Sequence, residues 1–111
     1  KAVKTALKSN ADSTTITFDL NESNAHYATL DSLSGNRTIA LSNPTVGQKF
    51  ILRLQQDHIG NRTVTSWFTT IKWDGVTPPT LSTSGDRADL FGFLCTSGNQ
   101  YDGMVLAQNL G

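Results

Sequence analysis

Cysteine is nearly absent from this chain. With Cys95 alone, no internal disulfide can form, and a structural zinc site, which draws several Cys and His ligands together, has too few of them. An excess of charge is missing too: nine Lys and Arg balance nine Asp and Glu over 111 residues. Nucleic-acid binders draw much of their affinity from Lys and Arg that neutralise phosphates, so this balance disfavours a polyanionic partner. No apolar run approaches the ~20 residues that span a bilayer, and the first residues lack a signal-peptide core, so no membrane insertion is expected. A start at Lys1 instead of Met carries the expectation of a processed product or of the end of a longer protein. Strong helix formers are scarce, with Glu22 the sole Glu and Met104 the sole Met.

In their place stand strand and turn formers. Ser, Thr and Asn together make about 30 % of the residues, and the composition reads as all-β. Residues 1–8 alone space apolar side chains at helical intervals, Ala2, Val3, Ala6 and Leu7, which predicts a short helix or extended lead-in over 1–12. A helix of two turns is marginal by itself. From Ser13 the period changes to two. Ile16, Phe18 and Leu20 share one face, with Thr15, Thr17 and Asp19 on the other. Further strands are predicted at 26–32, 37–42, 48–54, 62–67, 70–73, 87–96 and 100–108, each bounded by Gly, Pro, Asn or Asp. About eight short strands with regular turns predict an antiparallel β-sandwich or jelly roll over 13–111. The expected core is Ile16, Phe18, Leu20, Leu30, Ile39, Leu41, Phe50, Leu52, Leu54, Val64, Leu90 and Val105.

Gly-Asn-Arg-Thr occurs twice, at 35–38 and 60–63, followed by Ile39 and Val64. Gly-Asn suits a tight reversal and Arg-Thr opens an alternating strand, so the copies mark equivalent strand starts. Both fit the Asn-x-Thr glycosylation pattern, but nothing in the sequence indicates secretion through a glycosylating compartment.

Catalytic constellations are absent. There is no phosphate-cradling glycine loop, no His-Glu-x-x-His, and no carboxylate pair whose neighbours suggest separate acid and base roles. A nucleophilic Cys needs a base in reach and a third group to orient it; Cys95 lies in the apolar run 90–95 and reads as an inert buried thiol. His26 and His58 are expected in solvent. Asp57, Asp86, Asp89 and Asp102 could share a calcium ion, but EF-hand spacing is missing. The chain is therefore expected to be no enzyme and to hold no metal or cofactor. Trp67, Phe68 and Trp73 bracket a Thr-rich strand pair before Pro78 and Pro79, with Asp74 beside them. They form either an aromatic ligand platform or part of the core or a subunit interface, and the second is favoured. His58 joins Trp67, Phe68, Trp73 and Asp74 as a possible ligand or interface residue.

The blocks LSGNRTIALSNP at 33–44, GQKFILRLQQD at 47–57, GNRTVT at 60–65, IKWDGVTPPTLST at 71–83 and DLFGF at 89–93, in that order, resemble a β-rich module near the C-terminal ends of tailed-bacteriophage virion proteins. Such proteins are labelled tail fibre, head fibre or minor structural protein. The resemblance covers about 14–110 and ends, as that module does, near Ala107-Gln108-Asn109-Leu110; the lone Cys95 departs from it. It implies a non-enzymatic virion component on the outside of the particle, homotrimeric, at a fibre tip or as a capsid projection. Other virion proteins and a host-surface glycan or protein are the implied partners, the latter through loops such as 57–61 and 74–79. The alternative from another class is a monomeric carbohydrate-binding module of a larger protein, with exposed tryptophans.

Overall fold

A computed structural model describes residues 6–32 and 35–111. Nine strands are formed among the described residues: β1 (Leu7–Asn10), β2 (Thr15–Asp19), β3 (Ala25–Leu30), β4 (Gly35–Ser42), β5 (Lys49–Gln56), β6 (Arg62–Ser66), β7 (Ile71–Trp73), β8 (Ala88–Ser97) and β9 (Gln100–Leu110). The eight strands expected from alternation are all present. The ninth, β1, stands where a short helix was one of two expectations. Its residues follow the extended alternative, because pairing with β3 from Leu7↔Ala25 to Asn10↔Ala28 supplies backbone partners that an isolated turn of helix lacks. The rest of that helical reading, 1–5, lies outside the described residues.

The antiparallel sandwich or jelly roll is corrected. From β1 to β7 successive strands do not pair as hairpins; they step from one sheet to the other. β1, β3 and β5 stack in parallel in a six-stranded sheet of order β1-β3-β5-β8-β9-β7, while β2, β4 and β6 stack in parallel in a three-stranded sheet. The turn signals before β7 thus round corners between sheets, and this part of the chain winds as a solenoid-like coil. Only β8 and β9 run antiparallel, to β5 and to each other, before β7 joins β9 in parallel at the far edge. Alternation specifies which face of a strand is buried but not which strand lies beside it, which is why the strands were legible and their partners were not.

Stacking places like beside like. Ile16 lies against Ile39 and Phe18 against Leu41 in one sheet; His26 pairs with Leu52 and Ala28 with Leu54 in the other. Between the sheets Ile16, Phe18, Leu20, Leu30, Ile39, Phe50, Leu52 and Leu54 are buried as expected, with Leu41 and Val64 packed at the margin. Two expected core residues are not there. Leu90 follows the outward parity of β8, opposite Arg53, and Val105 is 38 % exposed beside a register shift in the β8–β9 ladder. His26, expected in solvent, is fully buried. Its ring packs edge-on to Phe18 at 5.5 Å and hydrogen-bonds Asn10 and the Ser23 carbonyl.

The repeated Gly-Asn-Arg-Thr segments open β4 and β6, neighbouring strands of the smaller sheet. Gly35 pairs with Arg62, so the copies are offset by an even step that preserves which face each residue takes. Both arginines consequently point inward. Arg37 pairs with Asp12 and Arg62 with Asp57, each aspartate lying in a link that leaves the larger sheet for the smaller. Gly60 holds a φ of +78°, and a Cβ there would run into the Thr83 carbonyl and the Gly85 amide. Gly60→Ala is therefore expected to cost more than the ~1–3 kcal/mol of a strained backbone position alone, read as a lower urea midpoint. A variant as stable as wild type would show that the 80–85 segment can move aside.

Candidate aromatic site

Trp67 and Phe68 follow β6 directly, and Trp73 ends β7. The short link between these strands crosses from the smaller sheet to the larger, so it carries its aromatic rings over the end of the core. Trp73 is 9 % exposed; Trp67 and Phe68 are half-buried. The two indoles meet edge-to-face with centroids 5.1 Å apart, Trp67 meets Phe91 at 5.0 Å, and Phe68 meets Phe93 at 5.0 Å and Tyr101 at 4.8 Å. Phe50 and Phe93, stacked at 5.2 Å, continue the cluster inward. Centroid distances and tilts of this kind are those at which aromatic quadrupoles attract. Burial raises the Tyr101 phenol above its ordinary pKa, with the nearby Cys95 adding to the effect, so the ring stays neutral in this setting.

Trp67 and Phe68 also line two open grooves. One, about 540 Å³, lies between the 64–73 segment and Val76, Pro78 and Pro79; the other, about 390 Å³, lies over Ile39, Leu41 and Tyr101. Thr65, Thr69 and Thr70 give the first groove hydroxyls that can donate and accept. Thr70 and Val76 hold φ of 53° and 74°, a left-handed backbone that β-branched residues rarely take. Such strain gathers where surrounding structure fixes a loop for a purpose, and it borders this groove.

The structure brings Trp67, Phe68 and Trp73 together. Asp74 is exposed in the turn closed by the Val76 amide on the Trp73 carbonyl. His58 is exposed in a separate loop, where its own carbonyl sits against Gly85. Cys95 is buried, as expected, and its thiol donates to the Ser97 carbonyl at 3.2 Å. Two of the four aspartates of the calcium reading are committed elsewhere. Asp57 accepts from Arg62 and from the Ile59 and Gly60 amides, while buried Asp89 accepts from the Ser82 and Asn109 amides and so ties the long 74–87 link to β9. The Arg62 hydrogen bond holds the Asp57 carboxyl below the usual carboxylate range, against a smaller upward push from burial. Among the described residues no three His, Cys, Asp or Glu side chains gather as a metal site.

A feature that sequence reading missed lies on the opposite side of the larger sheet. Ile51 and Met104 are exposed there, with Gly92 between them in the ladder. The outward parity of β5 and β9 was present in the alternation, but only the order β5-β8-β9 makes the residues neighbours. No known protein family, curated protein or solved structure matches this chain.

Proposed function

We propose that the chain is a non-enzymatic structural domain of a tailed-bacteriophage virion, a homotrimeric fibre-tip or capsid-projection module on the outside of the particle. The ordered sequence blocks that resemble such modules are the first support. The observation that carries the reading is an apolar row on the outward face of the larger sheet, where a lone domain should be polar. A durable particle component also suits a coil braced by two inward ion pairs at its corners. Host-surface contact through the 74–79 loop is part of the proposal, since that loop is exposed, strained at Val76 and bordered by the aromatic groove.

Light scattering after size exclusion tests this. The expected mass is about 36 kDa, three times the 12.0 kDa of one chain. A mass near 12 kDa at every concentration would overturn the trimer. It would favour the second reading, a monomeric carbohydrate-binding module, whose specific support is the half-buried Trp67 and Phe68 beside threonine hydroxyls.

A further inference from the structure

We infer that copies of this chain join through the outer face of the six-stranded sheet, the β5 half of one copy packing on the β9 half of the next about an axis parallel to β8. The inference rests on the homotrimeric reading and names its surface.

One face of this sheet covers the core, so the other is the solvent face and alternation should make it polar. Instead an uncharged row, Leu7, Ala25, Ile51, Gly92 and Met104, crosses five strands in direct register. Leu7 is 60 %, Ile51 39 % and Met104 43 % exposed. Single exposed apolar residues are ordinary, whereas a continuous row marks a surface that meets something. Gly92 leaves a gap in the middle of the row, and the resulting open groove holds about 560 Å³ among Ala25, Ile51, Leu94 and Met104. The side chain of Leu106, next to the register shift, leans over Gly92 and adds another exposed apolar group.

Charge says what occupies the face. The next row reads Lys49, Leu94, Asp102 and Lys72 from β5 to β7. Among the described residues neither Lys49 nor Asp102 makes an ion pair within its own chain. Rotation about an axis parallel to β8 preserves each residue's height along the strands and exchanges the two sides of the face. Asp102 of the neighbour then arrives at the height of Lys49, and Met104 of the neighbour at the height of Ile51. Cation meets anion and apolar side chain meets apolar side chain in successive rows, a match that a second copy supplies through its own register. Each copy offers its β5 half to one neighbour and its β9 half to the other, so three copies close a ring.

The test is light scattering on wild type, Lys49→Glu, Asp102→Lys and the double variant carrying both. All changes lie at exposed positions, and the β-sheet circular dichroism of each variant checks that the chain still folds. Each single reversal sets like charges opposite each other and is expected to weaken assembly at least tenfold, shifting the mass from about 36 kDa toward about 12 kDa at micromolar concentration. The double variant is expected to regain the trimer. A wild-type trimer that neither single change disturbs overturns this face and leaves the trimeric reading standing. Single changes that dissociate the trimer without rescue by the double variant overturn the Lys49–Asp102 pairing. Wild type that is monomeric throughout overturns the trimeric reading and this inference with it.

Discussion

Arg37→Met is expected to destabilise the fold by about 3–5 kcal/mol, the usual consequence of removing one partner from a buried ion pair. For a domain of this size, that lowers the melting temperature by more than about 10 °C. Both side chains are fully buried. The Arg37 Nε and Nη2 donate to the two Asp12 oxygens at 2.6 Å each, and Nη1 donates to the Gly35 carbonyl. Asp12 also accepts from the Asp31 and Ser32 amides and the Ser32 hydroxyl. One carboxylate therefore ties the link between β1 and β2 to the residues that follow β3 and to β4, and methionine would leave its charge in place without its counterion. The double variant Asp12→Leu with Arg37→Met removes both charges and is expected to recover much of the loss. A single variant within 1 kcal/mol of wild type by urea unfolding would show that Asp12 finds compensation elsewhere.

The same pair fixes the response to acid. Burial pushes the Asp12 carboxyl upward, but the Arg37 hydrogen bonds and charge and the amides of Ser32 and Asp31 outweigh it and hold the group well below the carboxylate range. A carboxylate with a depressed folded-state pKa contributes stability above its unfolded value, near ~3.9, and that contribution is lost as pH falls toward the folded value. Wild type should lose stability steadily below about pH 4, and the double variant should lose less over the same range.

How much of this could be read beforehand differs from residue to residue. Ile16, Phe18 and Leu20 declared a buried strand face through their period, and burial followed. Arg37 and Arg62 lie two residues before Ile39 and Val64 and so share their face by alternation, but that Asp12 and Asp57 wait there depends on where the coil brings the links between sheets, which no local pattern encodes. Leu7 carried a helical spacing that pairing with β3 overrode, because a strand edge offers partners a two-turn helix does not have. For the tryptophans the sequence left a choice between core and surface, and the structure buries Trp73 while leaving Trp67 half-buried. The parity argument could not decide it, since the link 67–70 interrupts the alternation and turns the chain from one sheet to the other. Ile51 and Met104 lay in legible strands, yet their adjacency is a property of strand order, and strand order is set by contacts distant in sequence.

Trp73→Ala is expected to cost about 3–5 kcal/mol, the range for deleting a buried aromatic side chain from a packed core. Its ring touches Trp67, Phe91 and Phe93, with centroids 5.1, 6.4 and 5.5 Å away, and a Cβ on Gly103 would already crowd it, so little can collapse into the space it leaves. Trp67→Ala should cost less, because that side chain is half-buried and part of its surface already faces the grooves. The two changes should not add, since each ring is part of the other's packing. The pair of variants also separates a structural indole from one that meets a ligand. If Trp67 serves a carbohydrate platform, a sugar at millimolar concentration quenches its fluorescence in wild type, and Trp67→Ala abolishes that response while the domain stays folded. If no sugar alters the fluorescence and Trp67→Ala melts as low as Trp73→Ala, Trp67 belongs wholly to the core. The aromatic platform then falls, and the outer sheet face is the one proposed contact surface left to test.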